Sequence, residues 1–189
     1  SSDLTVLSYA RFHKVLPVIL EEAQKYTDCI SHPSYNEYLS QATLSTVEQA
    51  QKTACFLQLY KSFGEKDIHP IVLKGIVCRL LYGELCDHRA SGDEDILIAS
   101  KDYEKVHEIL TDAGCVADFN NITPTQAQVF REVLYTHPQL PLRIELHFNA
   151  IGHENDWLTK MNNWFNTDTL TYREITVDPA KLISSSKKE

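Results

Sequence analysis

The chain has no Cys-x-x-Cys pair, no His-x-x-x-His pair, no internal repeat and no apolar run near the roughly 20 residues that a membrane span needs. Each absence removes a class of protein. Five cysteines (Cys29, Cys55, Cys78, Cys86 and Cys115) are odd in number and scattered. They read as reduced thiols of a cytoplasmic protein, not as a disulfide framework or a zinc site. The first residues, "SSDLTVLSYARFHK", carry neither a basic lead nor a long apolar segment, so they do not read as a secretory signal. Positive charge is short as well: the formal net charge is -8. That argues against broad nucleic-acid binding and against anionic membranes, because the chain as a whole offers no counterion-release term. A local basic pocket stays open. His13, His32, His69, His88, His107, His137 and His153 are dispersed and read as surface or loop residues.

What is present is an ordinary globular composition. Of 189 residues, 43% are hydrophobic and 23% charged, enough for one core with a small helical annex. The expected organisation is an N-terminal helical region over 1–65, an α+β core over 66–180 with a mixed β-sheet flanked by helices, and a polar tail over 181–189. Residues 4 to 26 read as helical, with an interruption at Pro17. "SHPSYNEYLSQ" reads as a loop. A helix then starts at Ser45, capped there with Glu48 three residues on, and stops at Gly64. "HPIVLKG" holds a short strand and "GIVCRLLYGEL" a helix packed behind it. "DILIAS" is a second strand. In "SKDYEKVHEILTDAGC", Ser100 caps an amphipathic helix whose inner face is Tyr103, Val106, Ile109 or Leu110, and Ala113, and Gly114 ends it. "TPTQAQVFREVLYTHP" holds a short helix and a strand, "PLRIELHFNAI" a strictly alternating strand, "NDWLTKMNNWF" a helix and "TDTLTYREITV" a late strand. Trp157, Trp164, Phe165 and Tyr172 read as a second packing layer.

Four places carry candidate chemistry. In "HRASGDEDILIAS", Asp93 and Asp95 share a strand face about 7 Å apart, and Glu94 points the other way. Two such carboxylates can converge on a hard cation, and Mg²⁺ takes oxygen ligands while keeping waters and phosphates. The plain alternative is an acidic turn before a strand. In "LRIELHF", Arg143, Glu145 and His147 lie on one face. Glu145 becomes a third carboxylate of the same site only if its strand lies beside "DILI". In "VLKGIVCRLLYG", Lys74 and Gly75 stand between a strand and a helix N-terminus, a ready anion site, or simply a turn that needs glycine. It is not a Walker A loop. Arg89 and Ser91 precede the acids on a glycine-containing loop, where Arg89 can clamp phosphate or pair with the acids.

Taken in order, "VLKG", "LYG", "R-x-S-G-D-x-D-h-L-I" and "h-E-L-H-h" resemble the nucleotidyltransferase superfamily. This is the fold of DNA polymerase β and kanamycin nucleotidyltransferase. More narrowly, the order resembles the bacterial uncharacterised nucleotidyltransferase family, over roughly residues 66 to 150. The resemblance implies a nucleotidyltransferase fold and transfer of a nucleoside monophosphate from an NTP to a hydroxyl of an acceptor, a small molecule or a protein, with Mg²⁺ or Mn²⁺ as cofactor. By the same resemblance Asp93, Asp95 and Glu145 would hold the metal, Lys74 and Gly75 would take the place of the superfamily's Gly-Ser turn, and Arg89 and Ser91 would lie beside the triphosphate. His147 and Arg143, on the face of Glu145, are expected beside the site, the alternative for His147 being a packed or solvated strand histidine. Two metals ~4 Å apart suit in-line displacement at phosphorus, and three carboxylates suit two metals. Three departures stand out. Ile76 replaces the serine after Gly75, Glu94 replaces an apolar residue between the acids, and many relatives continue into a further helical region that completes the acceptor site. A charge at Glu94 must reach solvent or a partner. The alternative function is a non-catalytic nucleotide-binding or interaction module that keeps the fold.

Overall fold

The N-terminal helical stretch divides before Pro17, not at it. In the computed structural model, which describes residues 2–118, 126, 132–151 and 156–164, α1 covers Ser2–Phe12 and α2 covers Leu16–Ala23. Pro17 sits in the first turn of α2, where a missing N–H costs nothing because those donors have no intrahelical acceptor. The short α3 (Thr27–Ile30) follows, and then α4 runs from Tyr35 to Glu65, 31 residues. The loop expected over "SHPSYNEYLSQ" therefore ends at Ser34. Ser45 is no cap; it lies ten residues inside α4. Tertiary packing overrode the local turn signals: Tyr35 and Ala42 of α4 are buried with Leu16 and Leu20 of α2 and Ala10 of α1.

The described residues group into two units. The first comprises residues up to Thr53 together with Cys78–Ser91, and the second comprises Ala54–Val77 with the residues from Gly92 on. Within the first unit a set of polar side chains is buried: Gln49, Lys52, Thr53, Arg79 and Asp87. Arg79 donates to the Thr53 hydroxyl at 2.6 Å and to the Cys86 carbonyl at 3.0 Å, so the guanidinium holds the 3-10 turn Leu80–Leu85 closed at its far end. The helix expected over "GIVCRLLYGEL" is thus only α5 (Ile76–Arg79) followed by that 3-10 turn, whose Gly83 has φ +59.

The second unit carries a five-stranded mixed sheet in the order β1-β2-β5-β4-β3. The strands are β1 (Ile71–Val72), β2 (Glu94–Leu97), β3 (Val116–Ala117), β4 (Glu132–Thr136) and β5 (Arg143–His147). β2 runs parallel to β5 and antiparallel to β1, while β4 is antiparallel to both β5 and β3. A central strand covered on both faces reads as an apolar run, and Ile96 and Leu97 are accordingly buried. Crossing from β2 to its parallel neighbour needs a long connection, and α6 (Tyr103–Asp112) lies in it. Tyr103, Val106, Ile109 and Leu110 are its buried stripe, each contributing about 1.5–3 kcal/mol of transfer free energy. Ala113 is exposed, contrary to expectation, because the helix has already ended. Nor does Ser100 cap α6: a 3-10 turn, Ser100–Asp102, leads into it and Asp102 holds the cap position. α7 (Asp156–Trp164) forms as read, but Trp157 is 66% exposed, contrary to the expected packing layer, and the Trp164 side chain lies outside the described residues. Phe165, Tyr172 and the late strand over "TDTLTYREITV" lie outside the described residues, as does the polar tail. No helix among the described residues is long and apolar enough to cross a membrane.

Candidate metal and nucleotide site

Strand register brings together what the sequence separates by fifty residues. In the parallel β2–β5 pair Asp95 stands opposite Glu145, and Leu97 opposite His147. Neighbouring strands lie about 4.8 Å apart, so Asp95 and Glu145 share one face as side-by-side carboxylates. Asp93 precedes β2 by one residue and is about a quarter exposed, whereas Asp95 is fully buried. β1 flanks β2 on the other side, and the Leu73 N–H donates to the Asp95 carbonyl at 2.8 Å. The next residue, Lys74, therefore projects over the acids. Its ammonium lies 2.9 Å from Asp95 Oδ1, 3.7 Å from Glu145 Oε2 and 3.9 Å from Asp93 Oδ1.

His147 closes the group from below. Its Nε2 lies 3.0 Å from Asp95 Oδ1 and 3.8 Å from Glu145 Oε2, and its Nδ1 lies 3.6 Å from Glu132 Oε2. Alternation predicts that His147 shares the face of Glu145; its burial comes from the packing around Asp95. Glu132 was not anticipated, because only the β4–β5 register sets it opposite His147. Arg143, two residues before Glu145, is exposed and forms no ion pair with these carboxylates among the described residues.

The charges respond to one another. Burial pushes the Asp95 carboxyl up, but hydrogen bonds with His147, Lys74 and Glu145 together outweigh it and hold Asp95 below the ordinary range. Glu145 goes the other way. Burial first, then hydrogen bonds with Asp95 and Asp93 and their negative charges, raise it to about 7. The hydrogen bond to Asp95 raises Lys74 against the opposing effect of burial. Three acids around one ammonium are under-compensated, and Glu145 is the one raised.

Glu94, the acid without an explanation in the sequence, has a structural one. It is fully buried, and its Oε2 accepts the Ile76 N–H at 2.6 Å. Gly75, at φ +80, makes room for it: a Cβ there would come within 2.1 Å of Glu94 Oε2 and 2.9 Å of the Asp93 carbonyl. The Lys74-Gly75-Ile76 turn thus already binds an anion, the protein's own carboxylate, at the N–H that a phosphate was expected to use. Arg89 and Ser91 belong to the first unit. There the Arg89 guanidinium donates to the Ala90 carbonyl and lies 6.0 Å from the centre of the Tyr82 ring. Ser91 is held by α4: its N–H donates to Gln49 Oε1 at 2.7 Å, and Lys52 donates to its hydroxyl at 3.2 Å. Gln49, Lys52 and Thr53 were not anticipated: their spacing puts them on one helix face, but only the structure shows that face to be buried.

The residues fit a divalent cation. Asp95, Glu145 and His147 each offer a ligand atom within 4.8 Å of the others. Among the described residues Asp95 Oδ2 is buried without a hydrogen-bond partner, a position that costs free energy unless a donor or a cation fills it. The Lys74 ammonium shows that the carboxylates already accept a cation at this point. Residues 3–179 match the model of a family described as uncharacterised nucleotidyltransferase. No curated protein and no solved structure matches the chain.

Proposed function

The chain belongs to the uncharacterised nucleotidyltransferase family, and from that premise we propose that it moves a nucleoside monophosphate from an NTP to an acceptor hydroxyl with the help of Mg²⁺ or Mn²⁺. The observation that carries this reading is the pairing of Asp95 with Glu145 across β2 and β5, with Asp93 and Lys74 alongside. Asp93, Asp95 and Glu145 are the residues to hold the cation, with His147 buttressing Asp95. A bound divalent cation would supply positive charge for the oxygens of the α-phosphate and the leaving pyrophosphate. Asp95 is rigid and dry, so its orientation costs nothing at the moment of reaction. Lys74 offers a point charge for triphosphate oxygens. Gly75 supports that role indirectly, by letting Glu94 fix the turn that carries Lys74.

In the transfer the acceptor oxygen forms a bond to the α-phosphorus, the bond from that phosphorus to the bridging oxygen of pyrophosphate breaks, and the acceptor proton passes to Glu145. The test is incubation with labelled NTPs, Mg²⁺ or Mn²⁺ and candidate acceptors, the protein itself included, with pyrophosphate as readout. Release that disappears in Asp95→Asn supports the reading. Nucleotide binding without any release would support the non-catalytic module, and no metal or nucleotide binding at millimolar concentration would sink both.

A further inference from the structure

Resting on the reading of Asp93, Asp95 and Glu145 as metal ligands, we propose that Lys74 is a tethered cation that keeps the carboxylate site closed until a divalent cation and a nucleotide phosphate displace it together. The ammonium sits within 4 Å of all three carboxylates and in contact with Asp95 Oδ1 at 2.9 Å. A divalent ion bound by the same oxygens would stand within a few ångströms of it, and the two positive charges would repel strongly at that distance. One of them has to leave.

The structure decides which can move. Asp95 is fully buried on β2 and Glu145 is largely buried on β5, each fixed by the ladder between those strands. Lys74 is 53% exposed, beyond the end of the two-residue strand β1, on a flexible four-carbon stem. On leaving the acids the ammonium gives up three carboxylate partners, and a new anion can replace them. A triphosphate is the anion that arrives with the metal, so the same lysine changes partner from carboxylate to phosphate. The two ligands then bind cooperatively, and by linkage each raises affinity for the other. A bare cation finds the site blocked, which restrains metal capture in the absence of nucleotide.

The test is Mn²⁺ titration of the full chain without nucleotide, by calorimetry, for the native protein, Lys74→Met and Lys74→Arg. Roughly tenfold or more tighter Mn²⁺ binding is expected in Lys74→Met, and no tightening in Lys74→Arg. Equal or weaker binding in Lys74→Met, with the native protein binding Mn²⁺, overturns the proposal and leaves the metal reading standing. No binding by any of the three overturns both. A second measurement needs no variant and decides the matter if Lys74→Met fails to fold. The ¹⁵N resonance of the Lys74 ammonium is followed as Mg²⁺ and an NTP are added together to saturation. It should shift as the ammonium passes from carboxylate to phosphate, and a resonance unmoved at saturation overturns the proposal.

Discussion

Glu145→Gln should change how stability depends on pH, and the direction is unusual for a carboxylate. The Glu145 carboxyl is raised from 4.5 to about 7, burial being the largest cause. A difference of that size corresponds to about 3 kcal/mol. The side chain is 21% exposed and solvent screens part of this, so about 2 kcal/mol is the working figure. The folded state binds this proton more tightly than the unfolded chain does. The contribution is therefore fully present below about pH 4.5 and is lost as pH rises through about 7. Asp95 is lowered instead, so its contribution is present above its ordinary value of 3.8 and fails only on stronger acidification, outside this window. In EDTA, the native protein should lose about 4–8 °C of Tm between pH 5 and pH 8 relative to Glu145→Gln, given 2–4 °C per kcal/mol for a chain of this size. The assay is a thermal melt of both proteins across that range, and the informative quantity is their difference, which cancels the histidines common to both. Parallel curves would refute the argument, since they would mean that Glu145 titrates normally in the folded protein. Saturating Mg²⁺ should flatten the native curve, because metal binding displaces the proton.

Other perturbations act on single links. Gly75→Ala forces a β-carbon onto Glu94 at a positive φ, and urea unfolding should show a loss of about 2–4 kcal/mol. Glu94→Ala leaves the Ile76 N–H unsatisfied and should cost about 2–3 kcal/mol, whereas Glu94→Gln keeps an acceptor and should cost about half as much in the same assay. Asp95→Asn should fold, shown by an unchanged circular dichroism spectrum, yet lose at least about a hundredfold in Mn²⁺ affinity measured by calorimetry, together with pyrophosphate release. Leu110→Ala, at a fully buried position of α6, should lower stability by about 2–5 kcal/mol in chemical denaturation without altering metal affinity.

Features with a short period were legible. The buried stripe of α6, the alternation of β5 and the shared face of Asp93 and Asp95 all follow from residue spacing, because helix and strand geometry are local. Boundaries set by distant partners were not. Pro33 and its polar neighbours announce a loop, and only the packing of Tyr35 and Ala42 against α2 extends α4 back to Tyr35. Ser45 and Glu48 spell a capping box, but a cap requires an N–H without a partner, and inside a continuous helix there is none.

By itself, then, the sequence determined which side chains could carry charge at a strand mouth, that Lys74 and Gly75 occupy one turn, and that Glu145 and His147 share a face. Tertiary structure decided that these side chains meet. The parallel pairing of β2 with β5 sets Asp95 beside Glu145, β1 on the opposite edge of β2 brings Lys74 over both, and Gly75 admits Glu94 to the Ile76 N–H. The physical reason is that a strand's periodicity orders residues only along its own axis. Which charges meet across a sheet depends on strand order and register, and those are settled by how the whole core packs.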